Sequence, residues 1–147
     1  MTELVLPNDC NQLGSLLGGR LMHWIDIAAV IAGQRHCHRV VVTASVDELN
    51  FLHPIRLGEV VRLQASVNRV FRTSLEIGVK VTAENHITGD SKHANTAYLT
   101  FVAVDEMGKP VPCPPIIPET EEEKRRFDQA LIRREHRLKH RKNHRDA

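Results

Sequence analysis

RLMHWIDIAAVIAGQ, residues 20–34, decides how the rest of this chain is read. The stretch holds no proline, is entered through Gly18-Gly19 and meets a further glycine, Gly33, near its end, so it reads as one long helix. Its apolar residues cover nearly the whole circumference: Leu21, Ile25 and Ala28 mark one side, Met22, Ala29 and Val30 another. A helix of this kind is wrapped by protein. It is too short, and with His23 and Asp26 too polar, to span a bilayer.

Downstream the period changes from helical to alternating. From Arg39 to Phe51, Val40, Val42, Ala44 and Val46 alternate with Val41, Thr43, Ser45 and Asp47, the pattern of a long strand. Gly58 to Phe71 repeats it through Val61, Leu63, Ala65 and Val67, and Thr73 to Glu84 through Leu75, Ile77, Val79 and Val81. Thr88-Gly89-Asp90-Ser91 is a turn before a last strand near Asn95 to Asp105. Consecutive strands on short turns make a mainly antiparallel sheet, and the fold class is α+β. One curved sheet cannot cover such a helix on every side, so a second copy is expected to complete the cover.

Asp105 to Pro118 carries five prolines and reads as a surface connector. Glu119 to His144 reads as a helix, acidic at its start and basic later, with a thin apolar stripe of Phe127, Ala130, Leu131 and Leu138 that packs weakly. The chain thus divides into a domain over 1–118 and a charged helical tail over 119–147. Residues 119–147 hold 10 of the 20 Lys and Arg, whereas residues 1–118 hold 10 against 11 Asp and Glu. The body is nearly neutral and the tail is basic. With 147 residues, 41% hydrophobic and 26% charged, the chain is one ordinary globular domain. Its amino terminus shows neither a signal nor a transit peptide pattern, and Cys10, Cys37 and Cys113 give no disulfide framework. Both readings point to a cytoplasmic protein.

Three features bear on chemistry. Asp26 lies inside the apolar helix, where an unpaired carboxylate costs several kcal/mol, so it is either satisfied structurally or kept as a general base or nucleophile. Gly18-Gly19 opens the helix, whose unpaired amides and partial positive charge suit an oxyanion, although a plain turn is the commoner meaning of such a pair. Asn11, just upstream, offers a side-chain amide.

DCNQLGSLLGGRLMHWID, VTASVDELNFLHPIRLGEVV, RTSLEI, LTFVAVDEMGKPVP and PETEEEKRRF, matching in order over roughly residues 8–130, resemble the acyl-CoA thioesterases of the bacterial and brain-type acyl-CoA hydrolase family. The resemblance implies a hotdog fold, an antiparallel sheet wrapped around one long central helix, with the tail helix appended. It implies hydrolysis of fatty acyl-CoA to free acid and CoA without a metal or other cofactor. It also implies hotdog pairs assembled into larger rings, commonly trimers of dimers, that is hexamers. Carried over residue by residue, it makes Asn11 and Asp26 catalytic, Asp26 of one chain facing Asn11 of the other, so that a homodimer holds two composite sites. Gly18 and Gly19 would bind the substrate, and the strand block containing Thr43, Ser45 and Asp47 would line the cleft. Arg72, Thr73 and Ser74 would lie near the CoA moiety, where a hairpin turn without a ligand is the bland alternative. The family often has glycine where Phe71 precedes Arg72.

Other signals are weaker. His36-Cys37-His38 cannot easily converge on one metal ion. The NFLHP segment, residues 50–54, faintly resembles the histidine-proline motif of hotdog dehydratases, but the helix carries Asp26 where those enzymes need glutamate. The basic tail lacks aromatic residues for base stacking, which argues against nucleic acid as a partner and leaves steering of anionic CoA as a role. Two rival functions stand beside fatty acyl-CoA hydrolysis: hydrolysis of aryl-CoA, and a non-catalytic acyl-CoA sensor.

Overall fold

A computed structural model describes residues 1–47 and 49–145. Glu48, inside the strand expected over Arg39 to Phe51, and residues 146–147 of the tail lie outside the described residues. Strand β1 (Thr2–Leu4) and a short 3-10 turn (Pro7–Asp9) precede helix α1 (Gly18–Cys37). Strands β2 (Val40–Val46), β3 (Val60–Phe71), β4 (Ser74–Glu84) and β5 (Ser91–Val104) follow, and α2 (Glu121–Arg145) closes the chain. The strands form one sheet in the order β1-β3-β4-β5-β2, every pair antiparallel. This is the curled sheet around a long helix that the sequence anticipates.

Period-two patterning explains which face meets α1. Val61 and Leu63 of β3, Leu75, Ile77, Val79 and Val81 of β4, and Ala97, Leu99, Phe101 and Ala103 of β5 are all buried, and they form one inner surface with Leu21, Trp24, Ile25, Ala28 and Ala29 of the helix. Helix and sheet pack tightly at Gly33, where a Cβ would stand 3.0 Å from Ile77 Cδ1 and 3.2 Å from a Val41 methyl. Gly33→Val is therefore expected to overpack the interface and cost about 1–3 kcal/mol, read as a drop in Tm. The helix ends at His38, in the left-handed region with φ 53°, whose amide donates to the Gln34 carbonyl.

The structure corrects several expectations. α1 is longer than residues 20–34; one side of it stays open, as expected of a single curved sheet, with Met22, Ile27 and Ile31 42%, 37% and 40% exposed. β2 stops at Val46 rather than reaching Phe51, and β1, three residues long, adds a fifth strand at the far edge. The cysteines are not all unpaired. Cys37, the last residue of α1, is bonded to Cys113 in the proline-rich connector, with Cα atoms 5.5 Å apart across 76 residues. That bond removes the cysteines from the argument for a reducing compartment. Among the described residues no helix is long and apolar enough to cross a membrane.

α2 is held more firmly than its thin stripe suggested, and by charge. It lies on the sheet face opposite α1, the face of Glu76 and Gly78. Glu76 is fully buried there and takes two bonds from Arg133 (2.7 and 2.9 Å) and one from Asn68 Nδ2 (3.0 Å). Arg133 also stacks over Tyr98, with its guanidinium carbon 3.6 Å from the ring centre, while Arg137 reaches Asp47 at 2.9 Å. Hydrogen bonding and charge from Glu76 outweigh the partial burial of Arg133 and raise its pKa. Removing one partner of such a pair strands the other, so Arg133→Met is expected to cost about 2–4 kcal/mol, and adding Glu76→Leu to recover much of it; Tm values of the single and double variants check this. At the helix start Thr120 and Glu123 form a reciprocal cap, Glu123 Oε2 accepting from the amides of Glu119 (2.8 Å) and Thr120 (3.3 Å). Those bonds hold the Glu123 carboxyl below its usual range, so the cap acts above the ordinary carboxylate pKa and fades as pH falls through the lowered one.

Candidate active site

Asn11 sits in a tight loop that spends one end of its side chain. Oδ1 accepts from the amides of Leu13 (2.9 Å) and Ser15 (3.1 Å), and the turn is completed by Gly14 at φ 76°, a backbone conformation suited to glycine. Both bonds fall on the oxygen, so the NH₂ end is left as a donor. Residues 55–57 brace the loop: Leu16 N donates to the Ile55 carbonyl at 2.7 Å, Leu57 N to Gly14 at 2.9 Å, and Arg56 Nη1 to Ser15 Oγ at 3.0 Å. Behind Asn11 opens a cavity of about 310 Å³, walled by Gly18, Leu21, Phe51, His53 and Asn95 among others. That volume is at the small end for a ligand pocket.

The amino terminus of α1 faces the same cavity. Its N-cap, Leu17, has no side-chain oxygen, and the helical bonds begin with Leu21 N donating to the Leu17 carbonyl at 3.1 Å. The amides of Gly18, Gly19 and Arg20 therefore have no carbonyl within the helix. Gly18 is also a steric choice, since a Cβ there would lie 3.2 Å from the Phe51 ring; Gly19 has open space around it. Unpaired amides beside an asparagine NH₂, at the positive end of a helix dipole, are a place for a carbonyl oxygen that gains negative charge.

Asp26 is elsewhere. It is eight residues along α1 from Gly18, a rise of about 12 Å, and it does not line the cavity of Asn11. It is half-buried rather than buried, standing on the exposed side of the helix among Met22, Ile27, Val30 and Ile31. Its Oδ1 accepts from Thr43 Oγ1 at 2.7 Å, leaving Oδ2 unencumbered by that bond. Within one chain, then, the two carried-over residues do not meet.

Of the remaining expected contacts, Thr43 joins Asp26 but Ser45 does not. Thr43 pairs with the inward Phe101, a bulge follows, and Ser45 pairs with Thr100 on the opposite face, beside Asp47 and α2. Placing Ser45 in the cleft is thereby corrected. Arg72, Thr73 and Ser74 form the β3–β4 hairpin turn, with Arg72 at φ 71°. The Arg72 carbonyl accepts from Cys113, the partner of Cys37, which sets this turn at the carboxyl end of α1, some 30 Å of helix away from Gly18. It does not converge with Asn11 in one chain. Phe71 is occupied by α2, under the guanidinium of Arg134 at 4.4 Å.

Sequence reasoning missed Phe51, His53 and Asn95 as cavity residues. NFLHP held the signal for two of them, set aside as a motif of another chemistry. Asn95 could have been noticed as the polar residue in the row Ala97, Leu99, Phe101, Ala103. A larger cleft of about 450 Å³ lies between α2 and the outer sheet face, but its walls include Gln64, Lys80, Glu122 and Arg125 and none of Asn11, Gly18 or Asp26. Volume alone does not identify a site for an acyl chain, which needs an apolar wall. Among the described residues no group of three or more His, Cys, Asp or Glu side chains is placed to hold a metal ion.

Comparison with known proteins adds the following. The family described as "Thioesterase superfamily" matches residues 13–89. The chain is 46% identical over 146 residues (99% of this chain, 84% of the relative) to an uncharacterized acyl-CoA thioester hydrolase, YkhA, of Bacillus subtilis. Among solved structures it is similar to an apo-hexameric acyl-CoA thioesterase, with TM-score 0.92 and 41% identity over 95% of this chain and 90% of that one. It is also similar to an acyl-CoA hydrolase from Staphylococcus aureus solved with butyryl coenzyme A, coenzyme A and coenzyme A disulfide, with TM-score 0.91 and 35% identity over 99% and 89%. Alanine mutants of that S. aureus protein have been solved at an asparagine, an aspartate and a threonine. These three are separated by 15 and 17 positions, the spacings of Asn11, Asp26 and Thr43 here.

Proposed function

Starting from the fact that this chain belongs to the thioesterase superfamily of hotdog-fold acyl-CoA hydrolases, we propose that it hydrolyses acyl-CoA at a site shared by two copies of itself. The observation that carries this reading is the separation of Asn11 and Asp26. Each is prepared for chemistry, yet one chain keeps them apart, while an apolar stripe on α1 around Asp26 and the free edge of β2 stay uncovered. A twofold pairing through that stripe and edge buries the apolar surface, satisfies the edge and brings Asp26 of one copy toward Asn11 of the other.

In this site the thioester carbonyl lies between the Asn11 NH₂ and the amides near Gly18 and Gly19, and Asp26 reaches the carbonyl carbon, directly or through water. With water, the carboxylate takes one proton as the oxygen bonds to carbon; the C–S bond breaks, and the CoA sulfur leaves and takes up a proton to give acid and CoA. Thr43 holds the carboxylate. Thr43→Val is expected to lower kcat roughly tenfold, the worth of one orienting hydrogen bond, and steady-state thiol release measures it. Arg72 of a neighbouring copy, with Thr73 and Ser74, is a contact for the CoA moiety. We infer a trimer of dimers, supported by the hexameric state of the similar thioesterase, with no nucleic acid partner and no cofactor.

The test is a panel of fatty and aryl acyl-CoA esters followed by release of free thiol. Fatty esters turned over preferentially support the reading. Aryl preference replaces the substrate, and tight acyl-CoA binding with no thiol release by wild type makes the protein a sensor.

A further inference from the structure

The cavity behind Asn11 has a polar floor that the reaction just described does not use. Asn95 is 3% exposed and lines this cavity, and its Nδ2 has no hydrogen-bond partner. It continues the inward row of β5, whose other members Ala97, Leu99, Phe101 and Ala103 are apolar and buried. A buried NH₂ without an acceptor costs about 1–3 kcal/mol, so a position serving only to pack would carry an apolar side chain here. The backbone is shaped around it. Val81 pairs with Asn95 and Thr82 with His93, which leaves Ala94 as the extra residue of a bulge, and both Ala94 and Asn95 line the cavity. His93 Nε2 clamps the bulge on the Asn95 carbonyl at 2.8 Å and on Thr96 Oγ1 at 2.7 Å.

Depth tells which part of a substrate meets this amide. Asn11 is exposed and Gly18 half-exposed at the rim, whereas Asn95 is buried beside Leu21 and Ile55. A thioester carbonyl held at the rim sends its acyl chain inward, toward Asn95. We propose that Asn95 is a specificity residue whose Nδ2 donates to an oxygen on the acyl chain, so that the cavity favours short acyl groups bearing a hydroxyl or keto oxygen near the thioester. This rests on the acyl-CoA hydrolase reading and adds its substrate class.

The experiment compares kcat/KM for 3-hydroxybutyryl-CoA and butyryl-CoA, by thiol release, in wild type, Asn95→Leu and Asn95→Thr. Wild type is expected to favour the hydroxylated ester roughly tenfold, the discrimination that one hydrogen bond to a buried donor supplies. Asn95→Leu loses that preference, its kcat/KM values for the two esters falling within about twofold of each other, and it gains rather than loses Tm because the unpaired donor is gone. Asn95→Thr, which keeps a donor, retains part of the preference and covers the case in which the leucine variant does not fold. A wild-type ratio near one, or the same ratio in all three proteins, overturns the proposal. Failure of wild type to hydrolyse either short ester while it turns over longer fatty esters also overturns the proposal; only the absence of thiol release across the whole panel of fatty and aryl esters sinks the hydrolase reading itself.

Discussion

Asp26→Asn is expected to lower kcat for acyl-CoA hydrolysis by about 10²–10⁴-fold, the usual contribution of a positioned general base. Asparagine keeps the shape of the side chain and an oxygen for the Thr43 hydroxyl, which bonds Asp26 Oδ1 at 2.7 Å. It cannot accept a proton from water or attack a carbonyl. The loss therefore falls on kcat, with KM, Tm and oligomer size close to wild type. A matching fall in Tm or oligomer size would instead mean that Asp26 holds the copies together. Because the carboxylate is half-buried in one chain and stands among exposed Met22, Ile27 and Ile31, pairing removes water from around it. Its reactivity is in this account a property of the assembly.

The reading of residues 20–34 carried most of the fold, because a helix apolar on nearly every side has few places to go except inside a sheet. The strand periods carried the inner rows of β3, β4 and β5. What escaped the sequence has particular causes. β1 is three residues long and gives no period to read. The bulge between Thr43 and Ser45 reverses the faces of β2 after Thr43, so strict alternation put Ser45 and Asp47 on the wrong side. The bond between Cys37 and Cys113 spans 76 residues and depends on where the connector returns. α2 is fixed by Glu76, Arg133 and Arg137, whose long-range charge pairing leaves no trace in a helical wheel.

The site divides in the same way. Asn11 and Asp26 were legible as residue types in a recognisable pattern and Thr43 as a cleft-lining residue, but the hydrogen bond from Thr43 to Asp26 was not. That Asp26 stands about 12 Å along α1 from Gly18 and away from the cavity of Asn11 could not be seen from a pattern, nor could Asn95, whose signal lies in a missing hydrogen bond. The apolar surface left on α1 fits the expectation that one curved sheet cannot cover the helix on every side.

Mixing two inactive variants tests the shared site most directly. Asn11→Ala chains and Asp26→Ala chains are each expected to show little activity alone. After subunit exchange at equal amounts, half of the pairs are mixed, and each mixed pair holds one site with both residues intact, so about a quarter of wild-type activity should return. Exchange is followed independently by tagging the two variants differently and isolating mixed pairs. Activity in the isolated mixed pairs is the result the account predicts; mixed pairs as inactive as either parent would contradict it.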